Sequence, residues 1–126
     1  RMYEYINYWR QVHGVPPLEY AWEWQAAADD AAREQVYHPE WWAPDGMAYL
    51  RARGVPVNYY RGGGHRPYYC GKYCMCGGPD GKDCADAYVG THNIDPLITN
   101  PYYRRVVIGL YPQDAYTASY TIIGVE

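Results

Sequence analysis

The chain has 126 residues and a formal net charge of −3, with 17 tyrosines, five tryptophans and no phenylalanine. Its length predicts one domain over residues 1–126 with a hydrophobic core of its own, and the slight acidic balance gives no general affinity for nucleic acid. No apolar run approaches the roughly 18 residues of a membrane-spanning helix, so we expect neither a membrane span nor a nucleic-acid partner.

The first predicted element is a helix at the start of the chain. Its apolar residues recur at helical spacing, as on one face of an α-helix. They are Met2, Tyr5, Ile6, Trp9 and Val12. Gly14 can end this helix in a left-handed conformation, and Pro16 and Pro17 cannot continue it.

A second helical stripe follows this break. It consists of Tyr20, Trp24, Ala28, Ala31 and Ala32. We expect the second helix to end at His38, because a residue that precedes proline is disfavoured in the helical conformation. The two helices are expected to meet at a corner.

A short third helix is predicted over Met47–Gly54. Asp45 is the expected N-cap residue, since its side chain can accept a hydrogen bond from the first turn. Gly54 is the expected C-terminal stop.

Glycine-rich sequence dominates the middle of the chain. Val55–Tyr60 has the composition of a strand, but Arg61–Pro67 contains three consecutive glycines and is predicted to be irregular. Tyr68–Cys84 is a second glycine-rich loop. Together they form an irregular Gly/Cys-rich insertion at about 61–84, and long loops of this kind are usually functional or held by covalent or metal links.

The last third of the chain is predicted to contain a short helix, a loop and two strands. A short helix is expected over Asp83–Val89 and a polar loop over Thr91–Pro101. Tyr103–Tyr111 and Tyr116–Val125 then alternate as two strands of an antiparallel hairpin. One face of the first strand carries Val106, Ile108 and Leu110. Helices followed by a hairpin indicate the α+β class.

The pattern of the first two helices also resembles a known family. The pattern is Asn, Arg, Gly, Pro-Leu, an aromatic residue, an apolar residue and two spaced alanines. Its positions here are Asn7, Arg10, Gly14, Pro17, Leu18, Tyr20, Trp24, Ala28 and Ala32. This resembles the opening of the CAP superfamily, or SCP domain, which includes cysteine-rich secretory proteins, venom antigens, plant pathogenesis-related proteins and bacterial secreted proteins.

Later segments are similar to bacterial members of the same family. They are Pro44–Gly46 with Arg51 and Gly54, His92–Asn93 with Leu97, Asn100–Tyr102, and Val106–Gly109. The resemblance implies an α-β-α sandwich with a central antiparallel sheet. It also implies ligands as varied as lipids, glycans and protein partners.

CAP members often carry two histidines and two glutamates that can hold a divalent metal. The resemblance places His38 and His92 at the histidine positions, but Val57 stands where the first glutamate belongs. The second glutamate could be replaced only by Asp83 or Asp86. Because zinc needs three or four convergent ligands, we expect no cofactor. The alternative is a zinc ion held by His38 and His92. A further alternative is that the protein is a degenerate hydrolase that uses His38, His92 and Asp86.

Four cysteines lie close together in the pattern C-x3-C-x-C-x7-C, at Cys70, Cys74, Cys76 and Cys84. Disulfides Cys70–Cys76 with Cys74–Cys84, or Cys70–Cys74 with Cys76–Cys84, would each close the glycine-rich loop. A four-thiolate zinc site, with His65 as a further ligand, is the alternative. Clustered cysteines favour an oxidising compartment, and we therefore expect a secreted protein.

Tyrosine and tryptophan combine apolar area with a polar tip, so their abundance suits either a tyrosine-rich core and rim or a contact surface. The predicted ligand-binding residues are Trp41, Trp42, Tyr59, Tyr60, Arg61, Tyr68 and Tyr69. Our leading interpretation is a secreted, non-enzymatic CAP-like domain that binds a glycan, a lipid or a protein through this aromatic surface. The alternative is a structural subunit of an extracellular filament or matrix, with copies of itself as partners.

Overall fold

The fold is a mixture of α-helices and β-strands, compatible with the predicted α+β class. The computed structural model describes residues 2–65, 96–113 and 118–126. The helices are α1 (Met2–Val12), α2 (Gln25–Tyr37), α3 (Ala43–Ala52) and α4 (Pro96–Thr99), with a single 3-10 turn at Trp22–Trp24. The strands are β1 (Glu19–Tyr20), β2 (Tyr59–His65), β3 (Arg105–Pro112) and β4 (Ala118–Val125).

The four strands form one mixed sheet in the order β1-β3-β4-β2. The predicted terminal hairpin is confirmed, because β3 and β4 pair antiparallel with Arg105 opposite Val125. The expectation of an antiparallel sheet is wrong at one edge, where β1 runs parallel to β3. There the N–H of Glu19 donates to the carbonyl oxygen of Arg104 at 2.8 Å, and the N–H of Ala21 donates to that of Val106 at 2.9 Å.

The start of the second helix also differs from the prediction. Tyr20 lies in β1 and Trp24 in the 3-10 turn, so α2 begins only at Gln25. The residues Glu19 and Tyr20 pair with β3 instead of continuing a helix. The phenol oxygen of Tyr20 also accepts the N–H of Ile108 at 3.2 Å. An edge strand therefore separates α1 from α2, instead of a simple helical corner. The predicted end of α2 is confirmed, since its last residue is Tyr37.

Helix α3 begins earlier than the sequence predicts. Trp42 occupies the N-cap position, and Asp45 is the third residue of the helix rather than its cap. The carboxylate of Asp45 accepts the backbone N–H of Trp42 at 2.8 Å. The two predicted helix stops are confirmed, because Gly14 and Gly54 have positive φ angles of 70° and 85°.

Strand β2 runs through the glycine segment that was expected to be irregular. Its pairing with β4 extends from Tyr59 opposite Gly124 to His65 opposite Ala118. The glycines of β2 allow α2 to pack closely against this strand. A Cβ atom on Gly62 would collide with the side-chain oxygen of Gln35, so the absence of a side chain lets the strand pass beneath α2.

The expected polar loop over Thr91–Pro101 is wrong in its described part. Pro96–Thr99 forms α4, whose Leu97 and Ile98 are fully buried. The predicted helix over 83–89 lies outside the described residues.

Buried Arg10 ties α1 to the segment that begins with α4. Its guanidinium donates to the carbonyl oxygens of Pro16 at 2.7 Å, Tyr103 at 3.0 Å and Asn100 at 3.2 Å, and also to that of Leu97. Burial lowers the pKa of Arg10 from its ordinary value. The cation is stabilised by carbonyl dipoles, and one side chain thereby joins the first helix to residues 96–103.

Two hydrophobic clusters share the sheet. The first joins α1 and α4 to the sheet through Met2, Ile6, Leu18, Leu97, Ile98, Val106, Ile108 and Ile122. The second joins α2 and α3 to it through Ala21, Ala27, Ala28, Ala31, Leu50, Val55, Val57, Val107 and Ile123. The alternation along β3 places Val106 and Ile108 in one cluster and Val107 in the other. None of the described helices is long and apolar enough to cross a membrane.

Candidate functional site

A groove of about 780 Å³ lies between the end of α2, the segment that leads into α3, and strand β2. The structure places five of the seven predicted ligand-binding residues along it. They are Trp41, Trp42, Tyr59, Tyr60 and Arg61. The other two, Tyr68 and Tyr69, lie outside the described residues. We call this cavity the aromatic groove.

The aromatic wall of this groove is held between two helix ends. The N–H of Trp41 donates to the carbonyl oxygen of His38 at 2.9 Å, directly after α2. The Trp41 ring stacks on the His38 ring, with centroids 5.0 Å apart and planes 8° apart. Its neighbour Trp42 is fixed through its backbone by Asp45, while its side chain is 80% exposed. The indole of Trp42 is therefore exposed to solvent, while the backbone of Trp42 is held by a hydrogen bond.

Facing it is a cluster of neutral polar groups, which we call the amide cluster: Gln35, Tyr60 and Ser119. The side-chain oxygen of Gln35 accepts the Tyr60 hydroxyl at 2.7 Å. Its nitrogen donates to Ser119 Oγ at 2.5 Å and to the carbonyl oxygen of Tyr120 at 2.8 Å. These bonds come from a helix and two strands, so the amide is fixed in one orientation.

Burial raises the pKa of Tyr60 to about 12. Its phenol therefore keeps its proton above pH 10, where an exposed tyrosine loses it. The Tyr60 hydroxyl and the Gln35 nitrogen donate within the cluster, so the Tyr60 and Gln35 oxygens keep lone pairs that can accept a further hydrogen bond. Ser119 is only 2% exposed and positions Gln35. Arg61 is the one formally charged residue among the described residues that line the groove. The groove is thus suited to a ligand that is polar and largely uncharged.

Gln35 is a site residue that our sequence-based list of candidates omits. The sequence nevertheless carries a signal, because Gln35 continues the buried stripe of Ala28, Ala31 and Ala32 at helical spacing. A polar residue at the end of an apolar stripe needs a hydrogen-bonding partner when it is buried. Ser119 stands out as the single serine of the chain, and it acts here as a partner of Gln35.

His38, a predicted metal or catalytic residue, lies beside the groove between two carboxylates. Its Nε2 is 3.4 Å from Glu34 Oε2, and its Nδ1 is 3.2 Å from Glu40 Oε1. Among residues 2–65, 96–113 and 118–126, no group of three or more histidine, cysteine or acidic side chains could hold a metal ion. The other candidates, His92 and Asp86, lie outside the described residues, so a site that combines them with His38 stays a prediction.

The cysteine predictions also fall outside the described part of the chain. Cys70, Cys74, Cys76 and Cys84 all belong to residues 66–95, so both disulfide pairings and the thiolate zinc site stay predictions.

In comparisons with known proteins, no family model, no curated protein and no solved structure matches this chain. The resemblance to the CAP superfamily therefore depends on the sequence pattern alone.

Proposed function

We propose that this chain is a secreted, non-enzymatic binding domain that holds a carbohydrate in the aromatic groove. One observation carries the proposal: exposed Trp42 and stacked Trp41 line the same groove as the fixed amide cluster. An apolar wall with a few precisely placed polar groups is the usual composition of a ligand site.

Carbohydrates match both parts of this surface. A pyranose ring has faces of C–H groups, which pack against the flat face of an indole, and an edge of hydroxyls, which donate and accept hydrogen bonds. The Tyr60 and Gln35 oxygens suit such an edge, because each keeps a lone pair that can accept a sugar hydroxyl without a charged partner. Lipids fit less well, since acyl chains have no hydroxyl to donate to the Tyr60 and Gln35 oxygens.

The CAP-like scaffold is part of this proposal. In its favour are the two hydrophobic clusters that share the sheet, as an α-β-α sandwich requires. The motif residues Asn7 and Arg10 also have structural roles. The side chain of Asn7 accepts the N–H of Leu18 at 2.8 Å and donates to its carbonyl oxygen at 3.1 Å. Secretion is supported by the four cysteines between positions 70 and 84.

A glycan array tests the proposal. We expect the protein to bind a related set of neutral oligosaccharides. Trp42→Ala should weaken that binding about two- to tenfold, because it removes one aromatic contact surface.

The matched control is Trp22→Ala. Trp22 is also highly exposed, at 73%, but lines none of the aromatic groove. The proposal would be wrong if no glycan bound the folded protein, or if both substitutions weakened binding equally.

A further inference from the structure

A second groove, of about 970 Å³, lies where the first turn of α1 meets β1, the start of α2 and β3. We propose that it binds a small organic cation with a quaternary ammonium group, such as choline. Among the described residues, this groove shares no lining residue with the aromatic groove. The proposal is therefore independent of carbohydrate binding.

Three aromatic rings converge at this groove. The ring of Tyr20 lies 4.4 Å from that of Trp22 at an angle of 46°, and 5.3 Å from that of Tyr3 at 84°. Trp22 is 73% exposed and stands beside half-buried Tyr20. The negative faces of tryptophan and tyrosine rings attract cations, and quaternary ammonium groups are recognised in this way.

Two of the three rings, those of Tyr3 and Tyr20, are held in place before any ligand arrives. The Tyr3 hydroxyl donates to the carbonyl oxygen of Leu18 at 2.7 Å. The Tyr20 hydroxyl donates to the side-chain oxygen of Gln25 at 2.5 Å and accepts the N–H of Ile108 at 3.2 Å. Aromatic side chains fixed in this manner lose little conformational entropy on binding.

The charge of the groove also favours a cation. Glu4, Glu19 and Asp29 line it, and no lysine, arginine or histidine does so among the residues described there. Asp29 Oδ1 is fixed by the N–H of Leu110 at 3.0 Å. Arg105 lies opposite Glu19 across the β1–β3 pair and interacts electrostatically with it. Its main partner is Glu23, and its Cζ lies 4.8 Å from the Trp24 ring centroid.

The floor of the groove distinguishes a quaternary ammonium from other cations. Met2, Ile108 and Leu110 give it an apolar surface. A primary ammonium is strongly hydrated and would lose water against such a surface. A trimethylammonium group is weakly hydrated and spreads its charge over its methyl groups, so one methyl can pack against the floor while the others contact the rings and the carboxylates. The site thus combines an aromatic wall, an acidic rim and an apolar floor.

The test is a titration of the protein with choline chloride, at ionic strength kept constant with sodium chloride, followed by the indole N–H resonance of Trp22. We expect saturable binding. The neutral isostere 3,3-dimethylbutan-1-ol, which has the same shape without the charge, should bind about tenfold more weakly. Equal affinities for the two compounds would overturn the proposal, as would a lack of saturation at roughly 50 mM choline, far above even a weak dissociation constant.

Three variants locate the binding. Trp22→Ala should weaken choline binding about two- to thirtyfold. Glu19→Gln, at an exposed position where folding is not at stake, should weaken choline binding and leave that of the neutral alcohol unchanged. Trp42→Ala is the matched control and should change neither. Equal effects of Trp22→Ala and Trp42→Ala would contradict the assignment, and so would full affinity in Glu19→Gln.

Discussion

At the scale of single residues, Tyr60 is held neutral by its environment. Its pKa is raised to about 12 from an ordinary value near 10, and its hydroxyl donates to Gln35. In the unfolded chain Tyr60 loses its proton near pH 10, whereas in the folded protein it keeps the proton until about pH 12. Between these values the unfolded state binds fewer protons, so stability falls as the pH rises.

The substitution Tyr60→Phe should remove this pH dependence of stability, because phenylalanine has no phenol proton to lose. At pH 8 the variant should be less stable than the wild type, because the Gln35 oxygen loses a donor. Between pH 10 and pH 12 the wild type should lose stability relative to the variant. The difference between their free energies of unfolding should therefore become smaller. Urea denaturation at pH 8, 10 and 11 measures it. Parallel pH profiles of the two proteins would contradict the assignment.

At the scale of elements, Arg10 is the polar contact that, beside the first hydrophobic cluster, joins α1 to residues 96–103. Arg10→Met keeps most of the side-chain volume but removes the donors to Leu97, Asn100 and Tyr103. We expect a loss of about 3 kcal/mol or more in the free energy of unfolding, because several buried carbonyl oxygens lose their partners. Urea denaturation measures this loss.

Arg53→Met is the matched control for Arg10→Met. Arg53 pairs with Asp30 on the surface at 2.5 Å and has a side chain that is 36% exposed. Its loss should cost less than about 1 kcal/mol, as for other surface ion pairs. If the two substitutions cost the same, Arg10 does not have the role inferred for it.

Elements with local signals are predictable from this sequence, and elements made by distant pairing are not. Gly14 and Gly54 end helices as expected, because a left-handed glycine acts within a few residues. Strand β1 is two residues long and exists only because β3 runs beside it. The glycines of β2 have the composition of a loop, yet they form a strand because they pair with β4. Gln35 of α2 occupies the space that a side chain at Gly62 would need.

The contrast between local signals and distant pairing also explains which parts of the aromatic groove are predictable from the sequence. Trp41 and Trp42, and the segment Tyr59–Arg61, are conspicuous by composition and do line the groove. The amide cluster joins Gln35 to Ser119, which is 84 residues away. Its existence depends on how α2 lies across β2 and β4, and no local pattern encodes that arrangement.

At the scale of the whole molecule, the sheet and its helices present two separate grooves of different character. The aromatic groove combines indoles with a neutral amide cluster and, among its described residues, one arginine. The second groove combines three aromatic rings with three carboxylates. Because the described linings of the two grooves share no residue, each ligand should bind without competition from the other. Trp42 reports on the aromatic groove and Trp22 on the second groove.

The central claim is that the aromatic groove binds a carbohydrate. The most direct measurement is an NMR titration of the 15N-labelled protein with the strongest oligosaccharide from the array. The five tryptophans give up to five indole N–H resonances. We predict saturable shifts at Trp41, Trp42 and the side-chain amide of Gln35, with Trp22 unchanged. Shifts confined to Trp22, or saturation that leaves the Trp42 and Gln35 resonances unmoved, would contradict the claim.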